Sequence, residues 1–289
     1  MNYNQEIKMT GIYICPICKK SLTINGNSYV CESSHTFDIS KDGYVNLAFC
    51  LKGVKPDSGD SDKMCYDRRK FLEQGFYSPV ANALCELIEK LSENSSHTSG
   101  KKVIIDAGCG EGYYLRTMRD RLGDSFSYFG VDLAKEGVRL ASKSEKKQSD
   151  EKINYAVAGI FELPFRNECA DFCTSVFAPV CSEEFQRVLK PGGYLAVLGP
   201  GEKHLFGLKE KIYDTPRENI EKIPEYDGFI LCDTKRVTYN IDVSKQFIPA
   251  LFGMTPYYWK SSEKTQNTVN SLEGLSTLCD FLIKIYKKA

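Results

Sequence analysis

The 289-residue chain is 42% hydrophobic and 26% charged, values usual for a soluble globular protein with one ordinary domain and a smaller one. Its 38 basic and 38 acidic residues cancel, so bulk charge does not announce a nucleic-acid binder, and no apolar run approaches the roughly 20 residues a membrane helix needs. Twelve cysteines in so long a chain, behind a polar start without a signal-peptide core, point to reduced thiols in a cytoplasm rather than to a disulfide scaffold.

The first element carries the first candidate site. Cys15 and Cys18 are two residues apart, Cys31 follows after twelve more, and His35 after a further three. A Cys-x2-Cys knuckle brings both sulfurs to one side, and Asn25-Gly26-Asn27 followed by Ser28-Tyr29-Val30 reads as a hairpin that returns the chain to the same point. Four such ligands describe a closed tetrahedral Zn(2+) site, which is structural because no position stays open for substrate. A segment this short cannot fold on its own apolar surface, so the metal supplies what the core lacks. Residues 1–40 are therefore expected to form a zinc-binding module.

Residues 41–99 read as a linker and a helical segment. Pro56, Gly59 and five aspartates from Asp42 to Asp67 suggest a loop. A helical pattern is expected from Asp67, continuing with Val80, Ala83, Leu84, Leu87, Ile88 and Leu91 on one face and Pro79 in the first turn. The run "SENSSHTSGKK" marks a boundary near residue 100.

From there, residues 100–289 change character. A strand at 102–106 runs into Gly108, Gly110 and Gly112, where the backbone must turn sharply and admit a ligand. A second strand ends at Asp132, about 20 residues on, where a carboxylate meets ribose hydroxyls in sites of this kind. Strands at 153–159 and 170–177, "LPF" at 163–165, a helix at 182–189, "KPGG" at 190–193 and the strand "YLAVLG" follow. Strands alternating with helices give a parallel sheet with ligands at its carboxyl ends. The spacing Asp-x-Gly-x-Gly-x-Gly suits a ligand without phosphate, S-adenosyl-L-methionine: Asp106 offers negative charge near its ammonium, and loop N–H groups offer donors to its carboxylate. Both aspartates also read as helix caps. Strands "FILCDTKRVTYNIDV" and "CDFLIKIYKK" would complete the sheet, with a helix at 244–253 between them. Trp259, beside Tyr257 and Tyr258, reads either as a stacking surface or as core.

The blocks at 100–200 resemble class I S-adenosylmethionine-dependent methyltransferases. The Cys/His module followed by "HTFDISKDGYVNL", "DSGD", "RRKFLEQGFYSP", "DAGCGEGYY", "FAPV", "GPGEKHLFGLKEKIY" and "MTPYYW" is similar, over nearly the whole chain, to the RlmA-type 23S rRNA (guanine-N1)-methyltransferases. The resemblance implies an α/β fold: a Rossmann-like sheet of seven strands behind the small N-terminal zinc module. It implies a 23S rRNA hairpin as partner, gripped by that module, and N1-methylguanine as product, with a homodimer left open. By matched positions it places Tyr77, Gly112, Tyr113 and His204 on the cofactor.

Guanine N1 carries a proton, so transfer to it needs a base or an environment favouring the deprotonated form. Phe177, at the end of the strand 170–177, is a candidate to stack on a splayed base, and equally a core residue. The carbonyls around Pro179 are candidate acceptors for the base edge. Asp57 and Asp60 in "PDSGDSD" are candidate bases if that loop folds over the site. A methyltransferase acting on a small molecule or a protein, and a non-catalytic adaptor that binds S-adenosylmethionine, remain the other function classes.

Overall fold

The computed structural model describes residues 11–48, 59–93, 100–145 and 152–289; the candidate Asp57 lies outside them. Strands β1 (Leu22–Asn25), β2 (Ser28–Cys31) and β3 (Thr36–Asp38) form a small antiparallel sheet. Asn25 pairs with Ser28 across the expected hairpin, and Gly26 takes the left-handed backbone (φ 62°) that this turn requires.

The large sheet contains β4 (Val45–Asn46), β5 (Lys102–Ala107), β6 (Phe126–Asp132), β7 (Ile153–Val157), β8 (Ala170–Val176), β9 (Leu189–Pro200), β10 (Phe229–Ser244) and β11 (Gly274–Lys288), in the order β10-β11-β9-β8-β5-β6-β7-β4. The seven expected strands are present. The eighth is the two-residue Val45–Asn46, which pairs in parallel with the β7 edge and is too short to carry a periodicity of its own. Strands β9, β8, β5, β6 and β7 run parallel, while β11 and β10 are antiparallel. The chain moves outward from β5 in one direction and returns through β8 on its other side, so the loop after β5 sits at the point where the strand order reverses. Strand β8 is buried along its whole length, as a central parallel strand covered on both faces must be.

Helix α1 (Asp62–Leu72) starts five residues before the periodicity suggests, because the Ser61 hydroxyl caps it by accepting the Met64 N–H at 3.3 Å. Helix α2 (Ser78–Glu93) buries Val80, Ala83, Leu84, Leu87 and Ile88. Helices α3 (Tyr113–Leu122), α4 (Lys135–Ser144), α5 (Ser182–Val188), α6 (Phe206–Ile212), α7 (Ile248–Gly253), α8 (Pro256–Lys260) and α9 (Glu263–Asn270) complete the layers. The helix expected over 244–253 is only Ile248–Gly253, since β10 keeps its pairing through Ser244, opposite Gly274. Among the described residues no helix is long and apolar enough to cross a membrane.

The zinc module is knitted to one sheet face. Tyr13, 1% exposed, stacks on Phe165 at 5.2 Å and meets Phe129 and Tyr29 edge-on at 5.7 and 5.5 Å. The Ile14 N–H donates to the Pro164 carbonyl at 2.9 Å and the Arg166 N–H to that of Ile12 at 3.0 Å. One core cluster therefore joins Cys15, Leu22 and Phe37 of the module to Ile105, Phe129 and Leu195 of the sheet.

Candidate active site and metal centre

Two cavities open at the carboxyl end of the parallel strands. The first, about 310 Å³, is lined by Gly108, Gly110, Glu111 and Tyr113 of the glycine loop, and by Asp132 and Pro179. The second, about 540 Å³, is lined by Tyr77, His204, Pro200 and Tyr257. Asp60, Arg68, Leu72, Tyr114, Phe177 and Ala178 line both. The wall between the two cavities is thus made of residues that face each of them.

The glycine loop owes its composition to contacts on both sides. At Gly108 (φ 84°) a Cβ would lie 2.5 Å from that of Ala178, so the loops after β5 and β8 could not approach. Gly112 does not line the cavity; a Cβ there would stand 2.7 Å from the Tyr155 hydroxyl. Gly110 faces the open space, and a Cβ on it would come within 3.3 Å of Arg68 Nη1.

Asp132, half-buried at the end of β6, accepts the Gly110 N–H at 2.8 Å and the Ala134 N–H at 2.7 Å. Two backbone bonds leave its carboxylate with unused lone pairs toward the cavity. Burial raises its pKa, and the two N–H groups oppose that rise. Asp106 is differently placed. It is 1% exposed, accepts the Thr174 hydroxyl at 2.6 Å and lies beneath the loop rather than among the lining residues. Burial pushes its carboxyl up to about 7, against the Thr174 hydrogen bond.

Tyr77 and His204 come together in the second cavity, with Tyr77 Oη 3.3 Å from His204 Nε2. The Asp280 N–H donates to His204 Nδ1 at 3.3 Å, which assigns the imidazole proton to Nε2 and directs it at the Tyr77 oxygen. The Tyr77 hydroxyl hydrogen is then free to donate. Burial pushes the His204 pKa down to about 4, so the ring is neutral.

Phe177 follows β8 with φ 52°, a left-handed backbone that costs a non-glycine residue about 1–2 kcal/mol. Its ring is 46% exposed and stands 6.0 Å from that of His204. The residue thus stands exposed in the lining of both cavities rather than buried as core. The Pro179 and Ala178 carbonyls both accept from the Ser175 hydroxyl, at 3.2 and 3.0 Å, which fixes the loop they belong to. Asp60 is ion-paired with Arg68.

Sequence reasoning passed over two residues of the dividing wall. Arg68 sits inside the quoted block "RRKFLEQGFYSP", but nothing local distinguishes it from a solvated helix arginine. Tyr114 is 9% exposed and its hydroxyl has no partner among the described residues, a burial that only the packed structure reveals.

In the zinc module, Cys15, Cys18, Cys31 and His35 place their ligand atoms within 4.8 Å of one another. His35 Nδ1 lies 3.5 Å from Cys15 Sγ and 3.4 Å from Cys31 Sγ, and Cys18 Sγ lies 3.5 Å from Cys31 Sγ. Zn–S bonds of about 2.3 Å and a Zn–N bond of about 2.0 Å in a tetrahedron give edges of roughly 3.5–3.8 Å, so the donor set fits zinc. The two knuckles are built alike. Lys19 and Ser34 take positive φ of 61° and 63°, and their N–H groups bond back to the Cys15 and Cys31 carbonyls at 2.8 Å each.

Residues 13–48 match the family described as RlmA, N-terminal, a zinc ribbon, and residues 98–247 match a methyltransferase-domain family. YxjB of Bacillus subtilis (strain 168), provisionally named a 23S rRNA (guanine-N(1)-)-methyltransferase, is 31% identical over 288 residues, covering 96% of this chain and 97% of that one. The 23S rRNA (guanine(748)-N(1))-methyltransferase of Streptomyces fradiae is 30% identical over 199 residues, 68% of this chain and 66% of that protein. A solved phosphoethanolamine N-methyltransferase of Haemonchus contortus in complex with S-adenosyl-L-methionine has a TM-score of 0.47 at 18% identity, over 82% of this chain and 61% of its own. With a zinc ribbon at its front, a class I S-adenosylmethionine-dependent fold behind it and a relative aligned end to end, the chain belongs to the RlmA-type 23S rRNA (guanine-N1)-methyltransferase family.

Proposed function

We propose that the protein transfers a methyl group from S-adenosyl-L-methionine to N1 of a guanine in a hairpin loop of 23S rRNA, working in the cytoplasm. The observation that carries this reading is the shared wall: a glycine-loop cavity and a larger, partly aromatic cavity meet at Phe177, Tyr114, Asp60 and Arg68. The cofactor supplies an electrophilic methyl on a sulfonium, so the protein's tasks are to place the acceptor in line and exclude water.

In this reading the first cavity holds the cofactor. Asp132 accepts from its ribose hydroxyls, and Gly108, Gly110 and Tyr113 line its path. Gly112 holds the loop in shape from behind, and Asp106 acts through the loop rather than by contact. Tyr77 and His204 meet it where it enters the second cavity. Phe177 stacks on the extruded guanine, the Pro179 carbonyl accepts from the base edge, and Asp60 takes the N1 proton. The zinc ribbon grips the hairpin. Lys19 of its first knuckle is ion-paired with Glu162, whose neighbour Phe161 lines the first cavity and is 68% exposed, so the ribbon borders the mouth through which RNA would enter.

The test is transfer from methyl-labelled S-adenosylmethionine to an unmodified 23S rRNA transcript, followed by digestion to nucleosides. Label is expected in N1-methylguanosine, with a primer-extension stop at one position, because N1 methylation blocks Watson–Crick pairing. Label confined to another nucleoside, or to a protein or small molecule, refutes the assignment.

A further inference from the structure

S-Adenosylmethionine ends in an α-amino acid, and its carboxylate needs donors. The glycine loop has almost none left. The N–H groups of Gly108 and Cys109 donate to the Val131 carbonyl, that of Gly110 to Asp132, that of Gly112 to the Cys109 carbonyl and that of Tyr113 to Glu111 Oε1. Within Gly108–Tyr113 only the Glu111 N–H has no partner among the described residues. The charged side chains lining this cavity are Asp60, Glu111, Asp132 and Arg68. Three of them are acids, and Glu111 is held by Arg116 at 2.9 Å. Among the described residues Arg68 is the one cation in this lining. Its Nη1 lies over Gly110, near enough for a Cβ there to touch it at 3.3 Å.

We propose that Arg68 is the carboxylate receptor for the cofactor's amino-acid end, and that cofactor binding exchanges the Arg68–Asp60 ion pair for an Arg68–carboxylate pair. This rests on reading the first cavity as the cofactor site. A guanidinium presents a planar fork matched to a carboxylate, and Arg68 already holds one, that of Asp60. The exchange therefore replaces one carboxylate by another and leaves no charge newly unpaired inside the cavity except that of Asp60. Asp60 lines the acceptor cavity as well. Once released, its carboxylate is free to face the incoming base, so an ordered sequence follows, with cofactor before RNA.

Calorimetric titrations with S-adenosylhomocysteine and with 5′-methylthioadenosine separate this arrangement from its rivals, since the second ligand keeps the adenosine and sulfur but lacks the amino acid. Arg68→Gln should weaken S-adenosylhomocysteine by about 10- to 100-fold, the range for a lost charge-assisted pair, and leave methylthioadenosine within about 3-fold. Arg68→Lys, which keeps the charge without the fork, should fall between. Asp60→Asn should bind S-adenosylhomocysteine as well as wild type or better, because it removes the competing partner. Wild-type affinity in Arg68→Gln, or equal loss of both ligands, overturns the proposal. So does a loss in Asp60→Asn as large as in Arg68→Gln, because Asp60 would then be a ligand of the ammonium rather than a displaced partner. Wild-type protein that binds neither ligand overturns instead the reading of the cavity itself.

Discussion

The Asp132 carboxylate holds the Gly110 N–H at 2.8 Å, so the acid proposed to bind ribose also fixes the turn of the glycine loop. Removing it leaves a donor unpaired as well as a ligand contact unmade. Asp132→Ala should weaken S-adenosylhomocysteine by about 1.5–3 kcal/mol and lower the melting temperature of the free protein too. Asp132→Asn keeps one carbonyl acceptor and should lose affinity with a smaller thermal shift. Calorimetry and melting curves on both variants decide this; wild-type affinity in the alanine variant places the ribose elsewhere.

Asp106 gives the protein a pH-dependent liability. A carboxyl raised from 3.8 to about 7 by burial contributes stability that is fully present below its ordinary pKa and is lost as pH rises through about 7. Asp106→Asn should remove that loss. Urea denaturation across pH 4 to 8 is expected to show the variant gaining on wild type with rising pH, by a few kcal/mol at the top of the range at about 1.4 kcal/mol per pKa unit. A constant offset between the two curves would refute it.

His204 acts in the opposite direction. Its pKa is lowered from 6.5 to about 4 by burial, so the stability of the neutral ring is present above 6.5 and is lost as pH falls toward 4. His204→Gln should therefore leave the Asp106 slope exposed, with stability falling as pH rises from 4 to 7, while Asp106→Asn leaves the His204 slope, with stability rising over the same range. The same urea series checks this, and an unchanged acid limb in His204→Gln would sink it. Because the two slopes oppose each other between pH 4 and 7, the wild-type profile alone would hide both.

Much of this site could be read before any fold was known, for identifiable reasons. Ligand spacing fixes the zinc ribbon locally, within about twenty residues, and alternation of strands with helices fixes the order of the sheet. Side-chain direction across long separations is not local. Asp106 and Asp132 look equivalent as acids after apolar strands, yet one turns under the loop to Thr174 and the other onto the cavity floor. Arg68 becomes a site residue only because α1 is laid across the glycine loop, and the exposed, left-handed Phe177 depends on where β9 and its Leu198 carbonyl receive its N–H at 2.9 Å. The Val45–Asn46 strand is two residues long and leaves no periodic trace.

Tyr13 ties the fate of the metal to that of the sheet. Zinc removal by chelation, or Cys18→Ser, should lower the melting temperature of the whole protein rather than of the first forty residues alone, since the ribbon shares one core with Phe129 and Phe165. Tyr13→Ala, with zinc retained, should cost about 3–5 kcal/mol, as for other large buried aromatics. Elemental analysis should find about one zinc per chain. Two separate melting transitions, the later one unmoved by chelation, would show that ribbon and sheet are energetically independent.

That shared core also decides how the ribbon's grip on RNA must be tested. Deleting the ribbon would strip cover from Ile105, Phe129 and Phe165 and confuse recognition with folding. Substitutions at its exposed positions avoid this: Ile17 and Ile24 are 50% and 46% exposed, and the half-exposed Lys20 is ion-paired at 3.3 Å with the still more exposed Glu32. With charge balanced over the chain, recognition should rest on hairpin shape, with individual contacts to phosphates, 2′-hydroxyls and a stacked base. Combined Ile17→Ser, Lys20→Ser and Ile24→Ser should therefore keep zinc, melting temperature and S-adenosylhomocysteine affinity, yet raise the KM for a 23S rRNA hairpin by roughly 10-fold or more with kcat nearly unchanged. Loss of a few contacts worth about 1 kcal/mol each is enough for that change. An unaltered KM in a triple variant that still holds zinc would make the ribbon a structural staple, and its position beside the cavity mouth would then serve the fold alone.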